Sequence, residues 1–241
     1  MSHSIKPVAI VRHSPVEGPG YFATFLDSQR IPWRLIRIDA GDPVPATPRE
    51  FSGIGLMGGP MSVNDPLPWV PDALNLIRAA VSDDVPVIGH CLGGQLMVRA
   101  LGGQVTVNPV KEIGWHDITL TDQPASRDWF GHNRKVPVFQ WHGDAFSLPP
   151  QAVRLAGSDW CENQAFVVGK HLGLQCHIEM TRELVESWCN VGAAEIAAST
   201  GPGVQSVETI MHDIEPHLAA LNAVAQRIYL RWITGLKYRA S

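Results

Sequence analysis

Charge is scarce in this chain. Only 17% of its 241 residues are Asp, Glu, Lys or Arg, and the formal net charge is −4 at pH 7. The basic excess that nucleic-acid binding requires is missing. No apolar run approaches the ~18 residues that suggest a membrane span. Residues 1–6 lead straight into an apolar segment and lack the pattern of a secretion signal. Cysteine is sparse as well. Cys91, Cys161, Cys176 and Cys189 include no C-x-x-C pair, so neither a zinc knuckle nor, at this size and without a secretion signal, a disulfide framework is expected. The expectation is a soluble cytoplasmic protein with no metal, no organic cofactor, and no nucleic-acid or membrane partner.

Hydrophobic residues make up 45% of the chain, enough for a sizeable core. In the first half, apolar strand-like runs (8–11, 33–39, 53–57, 85–90) alternate with helix-like spacing at 21–30, at 73–81 and from Cys91 or Leu92 to Gly102. Near-continuous apolar strands alternating with helices predict a parallel sheet covered on both faces. The second half carries short strand candidates at 103–107, 113–121, 136–142, 153–158, 165–168 and 172–177, then a helix at 183–189. Residues 192–205 are expected as loop or weak helix. Apolar residues every three or four positions from Val207 to Ile228 predict a long helix, about 206–233, kinked near Pro216. That helix is expected either to pack on its own domain or to form a dimer or partner surface, and oligomeric state is open. No repeat or linker divides the chain, so 1–241 is expected to be a single domain.

Three segments carry chemistry. In Gly89-His90-Cys91-Leu92-Gly93 a strand runs into a helix through a turn that has the form of a nucleophile elbow, with cysteine as the nucleophile. Such a turn strains the nucleophile's backbone, and small neighbours relieve the crowding. The positive end of the helix dipole favours thiolate. A tight turn around a merely small residue is the competing reading. Second, Gln175-Cys176-His177-Ile178-Glu179 resembles the end of a strand. Residues two apart on a strand share a face, so Glu179 would reach His177 and fix its tautomer. Third, Gly58-Gly59-Pro60 follows a strand and is either a plain turn or a source of amides for a developing oxyanion, with Leu92 supplying the second.

Together, in this order, these segments resemble the class I glutamine amidotransferase family over most of residues 8–190, closest to a stand-alone branch similar to the glutaminase domain of GMP synthase. Met57-Gly-Gly-Pro-Met-Ser-Val-Asn64, Lys111-Glu-Ile-Gly-Trp115 and Gln140-Trp-His-Gly-Asp144 look like further motifs of that branch. The resemblance implies an α/β flavodoxin-like open sheet, mostly parallel, with helices on both faces. It implies that Cys91 attacks the γ-carbonyl of glutamine, that His177 carries the proton to the leaving ammonia, and that Glu179 orients His177. Gly59 and Leu92 would form the oxyanion hole, and Gly58 and Gln95 would help bind substrate. His142 is as compatible with a binding role as with a structural one.

The sequence departs from the family in two segments, the His177 motif and the residue before Cys91. Ile178 stands where the family usually has proline, which removes a backbone constraint, and Cys176 precedes His177 where phenylalanine is usual. His90 replaces the usual small apolar residue and either packs without a role or tunes the thiol. Three functions follow: glutamine hydrolysis with ammonia passed to a separate synthase subunit; cleavage or transfer of a larger γ-glutamyl compound; or a non-catalytic scaffold.

Overall fold

The computed structural model describes residues 5–237. Strand β1 (Val8–Arg12) leads to helix α1 (Gly20–Ser28), then β2 (Trp33–Arg37), β3 (Gly53–Leu56), α2 (Val70–Ser82), β4 (Val87–His90) and α3 (Leu92–Ala100). The long β5 (Val105–Leu120) is followed by α4 (Pro124–Phe130), β6 (Lys135–Phe146), β7 (Val153–Gly157), β8 (Ala165–Val168) and β9 (His171–Leu174). Helices α5 (Arg182–Val191), α6 (Ala193–Ala198), α7 (Val207–Met211) and α8 (Ile214–Ile233) complete the order.

All nine strands join one sheet in the order β2-β1-β3-β4-β9-β8-β7-β5-β6. The pairs from β2 through β1, β3 and β4 to β9 are parallel. The pairs from β9 through β8, β7 and β5 to β6 are antiparallel. The sheet is therefore mixed, and the expectation of a mostly parallel sheet is corrected. Parallel neighbours need a long crossover, which the first half supplies with α1, α2 and α3. The connection from β8 to β9 is only Val168-Gly169-Lys170-His171, with Gly169 at a φ of 58°, and a link that short forces a hairpin. The flavodoxin-like 2-1-3-4-5 order survives in the parallel half, with β9 as its fifth strand.

Alternation along β1 divides the core. Val8 and Ile10 pack with Phe22, Phe25 and Leu26 of α1 and with Leu221, Ile228, Tyr229 and Trp232 of α8. Ala9 and Val11 face the other way, toward Ala73, Leu76 and Ile77 of α2 and Leu96 and Met97 of α3. Period-2 burial on both faces is what helices above and below a sheet produce.

Two sequence expectations change in detail. Residues 103–107 and 113–121 belong to one strand, β5, whose register shifts between Val107 and Glu112. The C-terminal helix is not kinked at Pro216. It is broken at Asp213, which takes a left-handed φ of 50°, and α8 starts immediately after. Pro216 lies in the first turn of α8, where its missing N–H has no partner to lose. The apolar stripe of α8 packs inside the molecule, with Leu218, Leu221, Ala225 and Ile228 buried. Among the described residues, no helix is long and apolar enough to cross a membrane.

Candidate active site

The site forms where the sheet changes from parallel to antiparallel, at the carboxyl ends of β4 and β9. Cys91 stands between β4 and α3 at a φ of 48° and a ψ of −107°, a conformation non-glycine residues occupy only when their surroundings enforce it. Here the enforcement is explicit. The Cys91 N–H donates to Leu174 O of β9 at 2.9 Å, and Cys91 O accepts from Gln95 N at 2.9 Å to close the first turn of α3. Glycines allow the close approach. A Cβ on Gly93 would lie 2.3 Å from Leu56 O, one on Gly94 2.3 Å from Leu174 O, and one on Gly89 2.4 Å from the Gly93 carbonyl carbon. Because these neighbours are backbone atoms, α3 would have to lift off β3. Gly93→Ala is therefore expected to lower stability by about 2–3 kcal/mol and to disorder the elbow, measured as a lower urea midpoint together with slower alkylation of Cys91.

His177 reaches the same place by another route than strand alternation. β9 stops at Leu174, the chain bends at Gln175 and Cys176, and His177 forms an isolated bridge to Phe139 of β6. His177 N donates to Phe139 O at 2.8 Å, and Phe139 N donates to His177 O at 3.2 Å. Glu179 then accepts from His177 Nδ1 at 2.7 Å and, through Oε2, from the N–H of Ile178 at 2.9 Å. This second bond needs a backbone N–H that proline lacks. Ile178 thus holds the carboxylate with a donor that proline could not supply. With Nδ1–H committed to Glu179, Nε2 is left for Cys91.

Burial opposes charge on His177, but the Glu179 carboxylate, followed by Cys91, outweighs it and holds the imidazole well above its ordinary range. Burial likewise opposes charge on Glu179, but His177 outweighs it and the carboxyl is held down at about 2. Trp188 stands edge-on to His177, 4.7 Å between centroids, and anchors to Val16 O through its indole N–H at 2.8 Å.

The other expected site residues fall as follows. Gly59 and Leu92 adjoin, since a Cβ on Gly59 would lie 2.6 Å from Leu92 Cδ2. Gln95 is buried and its Nε2 donates to Gln175 Oε1 at 3.3 Å, while Gln175 Nε2 approaches Cys91 Sγ at 3.6 Å. Gly58 backs onto His177 and Glu17. His142 lines the cleft, but both its nitrogens are engaged: Nδ1 with Asp144 O at 2.9 Å and Nε2 near Glu112 Oε2 at 3.1 Å.

Glu112, His142 and Cys161 place potential metal-ligand atoms within 4.8 Å of one another. Glu112 Oε2 already accepts from Ser158 and Gln164. Cys161 Sγ is directed at Asn163 O at 3.7 Å, so the group is read as a hydrogen-bonded polar cluster. Cys176 is fully buried in the core. His90 points away from the thiol: its Nε2 accepts from the Tyr229 hydroxyl at 3.1 Å and stands 3.9 Å from Glu179 Oε2.

Sequence reasoning missed Glu17, His13, Gln175, Trp141 and Trp188. Glu17, Trp141 and Trp188 line the cleft of about 500 Å³ over Cys91. His13 lies under the Gly58–Gly59 loop, its Nδ1 3.0 Å from Met57 O, and burial lowers it to about 4. The rule that open α/β sheets bind ligands at strand carboxyl ends pointed to the loop after β1, though not to a particular residue in it.

A flavodoxin-like sheet with a strained cysteine at a strand-helix elbow, a histidine and a carboxylate at its edge defines an amidotransferase-type α/β protein. The chain belongs to the class I glutamine amidotransferase family, whose model, "Glutamine amidotransferase class-I", matches residues 28–187. A glutamine amidotransferase-like protein of Salmonella typhimurium, YfeJ, is 33% identical over 201 residues, covering 80% of this chain and 84% of its own. The glutamine-hydrolysing GMP synthase of Streptomyces coelicolor is 31% identical over 175 residues, 71% of this chain but only 31% of the synthase. The crystal structure of a glutamine amidotransferase from Methylobacillus flagellatus superposes with a TM-score of 0.97 at 45% identity, covering 99% of this chain and 98% of that one. One from Thermotoga maritima gives 0.85 at 26% identity, covering 96% and 99%.

Proposed function

We propose that the protein hydrolyses the γ-amide of glutamine by covalent cysteine catalysis. The observation that carries this reading is the convergence of the strained Cys91 and His177 in one cleft, with Glu179 buried behind the histidine on its Nδ1. Cys91 Sγ attacks the γ-carbonyl and its proton resides on His177. The oxyanion forms against the amides of Gly59 and Leu92. As the C–N bond breaks, His177 gives its proton to the departing nitrogen. Water, deprotonated by His177, then cleaves the γ-glutamyl thioester, releasing glutamate and restoring the thiol. Glu179 orients His177 throughout, while Gly58, Gln95 and His142 shape the substrate's seat. We read 1–241 as a single such domain, because one sheet holds every strand from β1 to β9.

The GMP synthases carry the matching segment in much longer chains, which supports delivery of ammonia to a separate synthase subunit, in the cytoplasm. A second reading, cleavage of larger γ-glutamyl amides, is favoured by the open cleft of about 500 Å³. The deciding experiment measures glutamate release from L-glutamine by the purified protein, with Cys91→Ala as the control. Steady release that vanishes in the variant is the expected outcome. No release, with Cys91 still labelled by a glutamine-like chloroketone, moves the assignment to the larger γ-glutamyl amides. Failure of both turnover and labelling leaves the scaffold.

A further inference from the structure

The loop between β1 and α1 sends Glu17 into the cleft. Its carboxylate lies against Gly58, where a Cβ would stand 2.2 Å from Glu17 Oε2 and 3.0 Å from His177 Cε1. Gly58 is not among the positive-φ glycines, so its missing side chain serves this close approach and not an unusual backbone. Among the described residues, no hydrogen bond or ion pair reaches the Glu17 carboxylate. Burial pushes it up to about 7, with His177 opposing and Glu179 reinforcing the shift. Glu17 is half-buried, so water meets its carboxyl in the open cleft, and a ligand that displaces that water has to supply a partner in its place.

Its position says which part of a ligand it meets. His177 must give its proton to the departing nitrogen, so that nitrogen lies against the imidazole edge. Glu17 stands at the same edge, and whatever substituent the nitrogen bears extends toward it. The charged residues of the cleft are Glu17, Lys111, Asp144 and Glu195. Lys111 is neutralised by Glu195 at 2.5 Å, and among the described residues Asp144 has only the Ser62 hydroxyl, at 2.9 Å, as a side-chain partner. Beside the His177 imidazole, the groups left to meet the leaving amine's substituent are the carboxyls of Glu17 and Asp144.

We propose that Glu17 is a specificity-determining residue that receives the leaving amine, and that the cleft prefers γ-glutamyl amides whose amine carries a positive charge over those whose amine carries a carboxylate. This rests on the γ-glutamyl chemistry proposed above. The bonds are the same: the γ-amide C–N bond breaks after the Sγ–C bond forms, His177 protonates the amine, and water releases glutamate.

The test uses three γ-L-glutamyl amides of similar size, formed with ethylenediamine (cationic), propylamine (neutral) and glycine (anionic). Wild-type kcat/KM is expected to favour the cationic amide over the anionic one by about a hundredfold at low salt, falling as salt is raised. Glu17→Gln is expected to shrink that ratio about tenfold and Glu17→Asp to keep most of it, with thermal midpoints measured for both. A merely structural role would slow all three amides alike. An unchanged ratio, or a wild-type preference for the glycine amide, overturns the proposal. Turnover of glutamine but of none of the three amides also overturns it and leaves the glutaminase reading standing. No turnover of any of the four substrates, with no chloroketone labelling, removes the γ-glutamyl reading itself and this proposal with it.

Discussion

Cys91→Ala is expected to reduce glutamate release by at least about 10⁴-fold, because loss of the nucleophile removes the covalent route and leaves only binding and oxyanion stabilisation. The same residue yields a second, opposite effect on stability. Its φ of 48° costs an L-residue about 1–3 kcal/mol, and alanine retains that cost while glycine does not. Cys91→Gly should therefore be as inactive as Cys91→Ala yet melt higher than it by about 2–4 °C, the shift that 1 kcal/mol produces in a chain of this size. The glycine variant's extra unfolded-state entropy, about 0.5–1 kcal/mol, works against the gain, so alanine is the reference and calorimetry the measurement. A glycine variant that melts below the alanine variant would mean that the elbow stores no strain. Residual activity in either variant near the wild-type level would remove Cys91 from the chemistry.

The convergence of Cys91 with the His177–Glu179 pair was legible in the sequence because a tight elbow constrains its neighbours. Gly89, Gly93 and Gly94 leave no room for a Cβ against backbone atoms, and a glycine pattern of that kind survives as text. The reason for the His177–Glu179 pairing was not legible. Two-residue spacing suggested a strand, whereas a bend after Leu174 and a bridge to Phe139 bring the pair together. The antiparallel half of the sheet was readable in its strands but not in their direction, because pairing depends on connections between elements rather than on periodicity within them. Asp213 broke the long helix where Pro216 was the obvious breaker, since a proline in a first turn costs nothing. Glu17 was out of reach: it sits in a loop rich in Gly and Pro with no periodicity, and only the approach of that loop to Gly58 and His177 makes it part of the site.

The site's place in the sheet gives these residues their shared geometry. β9 pairs in parallel with β4 and antiparallel with β8. The carboxyl ends of β4 and β9 therefore lie side by side, one delivering Cys91 and the other the segment from Gln175 to Glu179. The Cys91 N–H to Leu174 O bond ties the two ends together. β6 contributes from the antiparallel half, since its Phe139 holds His177 and its Trp141 and His142 line the cleft. A parallel sheet alone would place nothing on that side.

Glu179→Gln is expected to lower kcat by about 10³–10⁴-fold, the scale of losing a base's tautomer in a triad, with little change in KM. The wild-type carboxylate accepts twice, from His177 Nδ1 and from the Ile178 N–H. An amide has one acceptor and one donor end. If its oxygen meets Ile178, its NH₂ faces Nδ1 and drives the imidazole proton to Nε2, where it points at Cys91 and cannot take the thiol's proton. If its oxygen meets Nδ1, two donors collide at Ile178. The pH profile should move as well. Glu179 is what raises His177 above its ordinary value, so removing its charge lowers the pKa and shifts the alkaline limb of kcat/KM, where the imidazolium is lost, to lower pH. Stability carries an independent signature. Glu179 is depressed to about 2 from an ordinary 4.5, so its contribution, of the order of 3 kcal/mol, is present above pH 4.5 and is lost as pH falls from there toward 2. The gap in urea midpoint between wild type and Glu179→Gln should narrow on acidification across that window, and narrow again as pH rises above 6.5, where the raised His177 gives up its proton. A variant with nearly full kcat, or a gap that does not depend on pH, would separate Glu179 from His177 and leave the histidine to be oriented by Trp188 and the Phe139 bridge alone.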